Sequence, residues 1–92
     1  MREFKRSTYY TEGNLAIMAL YDEYDYPEWY AVTVNLGIKL PDNQAYIDIN
    51  NAPNAIKEIE EAGIGVFTGK RLQSGFVVYP LYEFDLDKIE VM

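Results

Sequence analysis

The hydrophobic period of this chain switches once and then switches back. In "EWYAVTVNLGIKL", residues 28–40, Tyr30, Val32, Val34 and Leu36 alternate with Ala31, Thr33 and Asn35, the two-residue period of a strand with one buried face. In "NAPNAIKEIEEAGIG", residues 51–65, the apolar positions become Ala55, Ile56, Ile59 and Ala62, which is the spacing of one helical face. Asn51 is placed to cap this helix, Pro53 suits its first turn, and Gly63 stops it. Lys57, Glu58, Glu60 and Glu61 fall on the wet side. A helix of about ten residues does not hold alone in water, so it must pack on a sheet.

The remaining segments supply that sheet. "FKRSTYYT" (4–11) reads as a first strand, and "EGN" (12–14) as a tight turn. "LAIMALY" (15–21) is apolar on both faces, the mark of a central strand covered on both sides. "PDNQ" (41–44) is a turn, and "AYIDI" (45–49) a short strand with Ala45, Ile47 and Ile49 inward. "GVFTG" (65–69) reads as a short strand or an extended loop, and "KRLQSG" (70–75) as a turn. "FVVYPLYEF" (76–84) is a strand in which Pro80 demands an edge, a bulge or a bend. "DLDKIEVM" (85–92) ends as a short strand or a single helical turn. The expected fold is a single α+β domain over residues 1–92: a mostly antiparallel β-sheet with one short helix packed on a face, in the order β-β-β-β-α-β-β.

What is missing narrows the chemistry. There is no cysteine and no histidine, so disulfides, thiolate metal sites and the commonest general base are absent. The opening "MREFKRS" is not followed by the apolar core of a signal peptide, and the longest apolar run, Leu15–Tyr21, is too short to span a bilayer. A cytoplasmic, bacterial-type protein without membrane contact is expected. Fifteen acidic against eight basic residues give a net charge of −7. That sign opposes direct nucleic-acid binding and suits either solubility or a basic protein partner.

No reactive constellation emerges from the motifs. Ser7 and Ser74 have no histidine to activate them. The carboxylates Asp22, Glu23 and Asp25, like Asp85 and Asp87, lie close in sequence, but nothing in their spacing indicates a cleft, and surface acidity accounts for them. A calcium loop begun at Asp22 meets Tyr24, Tyr26 and Pro27 where ligands and a glycine are required. Asp48, Asn50 and Asn51 read as strand end and helix cap. "GIGVFTGK" (63–70) has Ile64 where a phosphate loop needs its first glycine, and Arg71 where it needs Ser or Thr. Arg2, Lys5 and Arg6 beside Tyr9 and Tyr10, and the pair Lys70–Arg71, are thin support for nucleic acid against the overall charge. No cofactor and no catalytic residue are expected.

"YDEYDYPEWY", residues 21–30, is the most distinctive surface candidate. Tyr21 closes one strand while Trp29 and Tyr30 open the next, so these three read as core or cross-strand residues. The hairpin tip between them offers Asp22, Glu23, Tyr24, Asp25, Tyr26 and Glu28 to a partner, with tyrosine area and carboxylate charge together. A sharper version is mimicry of nucleic acid, in which these carboxylates would line one face with Glu83, Asp85 and Asp87.

"YAVTVNL" (30–36), "AYIDINNAPN" (45–54) and "GFVVYPLYEFDL" (75–86) together resemble a family of small acidic bacterial proteins of unknown function, many of them carried on integrative and conjugative elements. The resemblance implies a mobile-element context and no activity, cofactor or catalytic residue. The expectation is a non-enzymatic protein that acts on an unidentified partner with a basic surface. The alternative is an acidic nucleic-acid mimic that inhibits a host nuclease or defence complex. Oligomeric state is not legible.

Overall fold

A computed structural model describes residues 3–9, 12–21 and 27–92. The elements run β1 (Glu3–Thr8), β2 (Leu15–Tyr21), β3 (Glu28–Ala31), β4 (Thr33–Val34), β5 (Gln44–Ile47), α1 (Ala55–Ala62), β6 (Gly65–Ser74), β7 (Val77–Phe84), a 3-10 turn at Leu86–Lys88, and β8 (Glu90–Val91). The fold is mostly β with one short helix, as expected, but the strands form two four-stranded sheets. Their orders are β3-β2-β1-β8 and β4-β5-β7-β6. Among the described strands every pairing is antiparallel except β1 with β8, which makes the first sheet mixed.

The sheets join at Val32. Its N–H donates to Ile17 O of β2 at 2.9 Å, and its carbonyl accepts from Asp48 N, just beyond β5, at 2.9 Å. The single strand expected over 28–40 is therefore two short strands that change sheets at one residue. Val32 and Thr33 are both buried, so the alternation breaks there. Thr33 is satisfied inside: its Oγ1 accepts from Ile17 N at 3.1 Å and also contacts the Tyr9 hydroxyl, which donates to Thr33 O at 3.0 Å. Residues 35–43 leave the ladder. The buried Asn14 holds part of them, donating to Ile38 O at 2.7 Å and accepting from Leu40 N at 2.9 Å. Side-chain bonds of this kind compete with a strand ladder.

Both sheets and the helix line one core, in which Ile17, Ala19, Val32, Ile47, Ala55, Ile59, Ile64, Tyr82, Phe84 and Ile89 are buried. The helix starts later than expected. Asn54, not Asn51, stands at its N-cap and makes no side-chain cap bond. Asn51 instead closes a turn on Asp48, its Nδ2 donating to Asp48 Oδ2 at 2.9 Å. Of the expected apolar face, Ala55 and Ile59 are buried, Ile56 is half-buried and Ala62 is exposed. The stop is as expected: Gly63 at φ 69° donates to Glu60 O, and Ile64 N donates to Ile59 O, the paired bonds of a left-handed helix end.

The C-terminal third differs most. "KRLQSG" is not a turn, because β6 runs unbroken in sequence to Ser74 and the reversal falls at Gly75 (φ 62°) and Phe76. β7 is an inner strand between β5 and β6, yet it tolerates Pro80. The β6–β7 register shifts between Phe67 and Arg71, with Gly69 at φ 90°, so a bulge faces the proline. Thr68 Oγ1 donates to Leu81 O at 2.8 Å across the bulge. On the other side β5 pairs only as far as Leu81. The absent proline N–H thus falls where the ladders are interrupted. The chain end uses both expected alternatives, the 3-10 turn and then the short strand.

Candidate interaction surface

Glu28 lies exposed at the start of the edge strand β3, and its carboxylate accepts from the Tyr30 hydroxyl. Asp22, Glu23, Tyr24, Asp25 and Tyr26 lie outside the described residues. The aromatics around them pair across strands. Tyr21 and Tyr30 meet edge to face at 5.0 Å between ring centroids, and Lys5 Nζ lies 5.5 Å from the Trp29 ring centre. The first contact joins β2 to β3 and the second reaches from β1 to β3 across β2, so both tie this sheet together.

The described acidic groups do not assemble a reactive site. Glu83, Asp85 and Asp87 border an open depression of about 630 Å³, together with Asn43, Val66, Leu86 and Lys88. Glu28 does not line it. The carboxylates are tied to structure: Glu83 accepts from Asn43 Nδ2 at 3.0 Å, and Asp85 accepts from the backbone N–H of Asp87 at 3.2 Å. Lys88 donates to Gly63 O at 3.2 Å, fastening the terminal turn to the helix end. Among the described residues no three acidic side chains form a group suited to a metal ion. Every buried side-chain polar atom described has a hydrogen-bond partner.

Two tyrosines have perturbed hydroxyls. Burial pushes Tyr9 up from its ordinary value, against the bond to Thr33. Burial, then the hydrogen bond and charge of Glu60, push Tyr82 up to about 12. Tyr82 donates to Glu60 Oε1 at 2.6 Å, and a donor to a carboxylate holds its proton. This bond crosses from β7 to the helix, so Glu60 does more than solvate the helix face. Both tyrosines are structural.

The surface that the sequence reading missed is the β6–β7 hairpin. At its base, β7 pairs with β5 as well as β6; beyond Leu81, Val77–Pro80 pair only with Arg71–Ser74. The distal half is therefore a two-stranded arm. Val66 and Phe67 near the base, Phe76 at the tip and Val78 on the arm are exposed, and Phe76 has no cover at all. Arg71 lies 4.5 Å over the Phe67 ring. A signal for this element exists in the sequence: residues 65–82 contain Lys70 and Arg71 but no Asp or Glu, in a chain with fifteen carboxylates.

The fold and this surface define a small two-sheet α+β domain with an apolar, cationic hairpin projecting from acidic surroundings. The chain belongs to the family described as a domain of unknown function (DUF4313), whose match covers residues 4–92. No curated protein and no solved structure matches the chain. Among the described residues, no helix is long and apolar enough to cross a membrane.

Proposed function

We propose that this chain is a non-enzymatic, cytoplasmic, acidic protein that acts through protein–protein contacts, in the mobile-element setting that its family resemblance implies. One observation carries the reading: the β6–β7 hairpin holds Val66, Phe67, Phe76 and Val78 in solvent, on a strand pair whose outer half pairs with no third strand among the described residues. Phe76 and Val78 lie together at the outer end of the hairpin, and neighbouring exposed apolar side chains favour a contact surface, where a rigid aromatic contributes large buried area on docking. Affinity capture from the native host with the wild-type chain and with Phe76→Asp tests it. The expected result is a stoichiometric partner retained by the wild type, lost with Phe76→Asp and little affected by salt. Identical capture by both chains would refute the reading.

The second reading is the nucleic-acid mimic. It is favoured by Glu83, Asp85 and Asp87 sharing one open depression. It requires a basic partner whose binding weakens steeply with salt and is lost on joint replacement of these three residues by Asn and Gln. Binding unchanged by that replacement would end it.

A further inference from the structure

We infer that the outer face of the first sheet is a self-association surface whose occupant is a second copy of this chain. This face is separate from the β6–β7 hairpin and does not depend on that hairpin being a contact site. The run "LAIMALY" is apolar on both strand faces, which calls for a cover on both. The fold supplies one: Leu15, Ile17 and Ala19 join the core with the helix and the second sheet. The opposite face carries Ala16, Met18 and Leu20 of β2 with Trp29 and Ala31 of β3, because register partners share a face. None of these five belongs to the core cluster. Met18, Leu20 and Trp29 are half-buried and Ala31 is exposed. β1 adds Glu3 and Lys5 to the same face, where Lys5 Nζ lies 5.5 Å from the Trp29 ring centre.

The face is complementary to itself. The register sets two neighbouring rows across the sheet, with Glu3, Leu20 and Trp29 in one and Lys5, Met18 and Ala31 in the next. A two-fold axis lying in the interface, across the strands and between these rows, sets each row over the other row of the second copy. Glu3 then faces the partner's Lys5, Leu20 faces the partner's Met18, and Trp29 faces the partner's Ala31. Opposite charges meet, and a large ring meets a small side chain. Lys5 exchanges its place over Trp29 for the partner's Glu3. A partner surface of one sign would leave either Glu3 or Lys5 opposed, whereas a second copy satisfies both. Two sheets stacked about 10 Å apart at about 30° have the ordinary geometry of a β-sandwich. Each contact occurs twice, so the pairing closes as a dimer and does not propagate. Strands spaced about 4.8 Å apart make this a small patch, at the low end of specific interfaces, so association falls in the micromolar range.

Trp29 is the only tryptophan in the chain, so its emission reports on this face directly. Sedimentation equilibrium and tryptophan emission of the purified full-length chain, from about 1 µM to about 1 mM, test the inference. Near-physiological ionic strength screens the repulsion between two chains of net charge −7 beyond about 8 Å. The expected result is a monomer–dimer equilibrium, with a blue shift of Trp29 emission at the same midpoint. Met18→Lys and Ala31→Lys should each weaken the dimer at least about tenfold by burying an unpaired charge, with circular dichroism unchanged. Ala31 is exposed in the single chain, so its variant guards against a folding defect in the first. Glu3→Lys and Lys5→Glu should each weaken the dimer by setting like charges opposite one another. The double variant should recover most of the loss, because the facing charges are again opposite. Phe76→Asp should leave the dimer unchanged. A monomer throughout the range, a dimer that forms without a change in Trp29 emission, a dimer indifferent to Met18→Lys and Ala31→Lys, or a double variant no better than either single one would each overturn the inference. A dimer dispersed by Phe76→Asp would also overturn it, by moving the contact to the hairpin. Host capture through Phe76 tests the proposed function independently of all these outcomes.

Discussion

The two halves of the β6–β7 hairpin are built from similar residues and experience different environments. Phe84 at the base is 2% exposed, whereas Phe76 at the tip is wholly exposed. At the base a third strand, the helix and the terminal turn close in: Phe84 N donates to Asn43 O at 2.8 Å, and Asp85 N to Ile64 O at 2.9 Å. Past the bulge at Thr68–Lys70 the ribbon continues without a third strand among the described residues. A two-stranded hairpin is marginal in water without a surface to lie on. The base therefore belongs to the fold, and the arm is the part left for another molecule.

The strongest way to break this comparison is to truncate the two phenylalanines. Phe84→Ala should cost about 3–5 kcal/mol by loss of buried ring and creation of a cavity, measured by urea denaturation. Phe76→Ala should stay within about 0.5 kcal/mol, as an exposed position does. Equal effects would show that the arm is part of the core.

Gly65 sharpens the comparison at the base. A Cβ there would lie 2.9 Å from Ile59 Cγ2 and 3.0 Å from Phe84 Cδ1, closer than carbon atoms approach without something moving. Gly65→Ala should destabilise by about 1–3 kcal/mol through overpacking, read as a lower urea midpoint. Gly75, in the arm, has open space around its missing Cβ and instead a positive φ of 62°. Gly75→Asn, a residue that tolerates this backbone region, should cost under about 1 kcal/mol.

The smallest effect expected is an alkaline one. In the unfolded chain Tyr82 takes its ordinary value of 10.0, and in the fold it is pushed up to about 12. The folded state therefore holds this proton more tightly. The associated stability is fully present below pH 10 and is lost as pH rises from 10 through about 12. Tyr9 shifts in the same direction and contributes its own part. Tyr82→Phe should remove the Tyr82 share of that decline and cost about 1 kcal/mol near neutrality through loss of the bond to Glu60. An unchanged alkaline profile in thermal melts would show that the bond does not hold the proton.

The sequence alone determined the kinds of element and where several stop. The continuous apolar run placed β2, the two-residue period placed β5, the 3.6-residue period placed the helix, and Gly63 ended it, because each signal is local and a few neighbouring residues suffice to produce it. It also located the irregularity at Pro80, since proline lacks an N–H wherever it sits. The tertiary structure decided how the elements are shared. Val32 serves two sheets because Ile17 and Asp48, 15 residues before it and 16 after, take its two backbone groups. β6 persists through "KRLQSG" because β7 pairs with it, against a local composition that reads as a turn. Gly65 is in place to admit Ile59 and Phe84, which no local pattern announces. Among the described residues the outer half of the hairpin stays two-stranded because β5 ends at Ile47 and does not accompany it. A tip such as 22–28 can be suspected from composition, but exposure is a property of what packs against a residue, and that is settled only once distant strands have met.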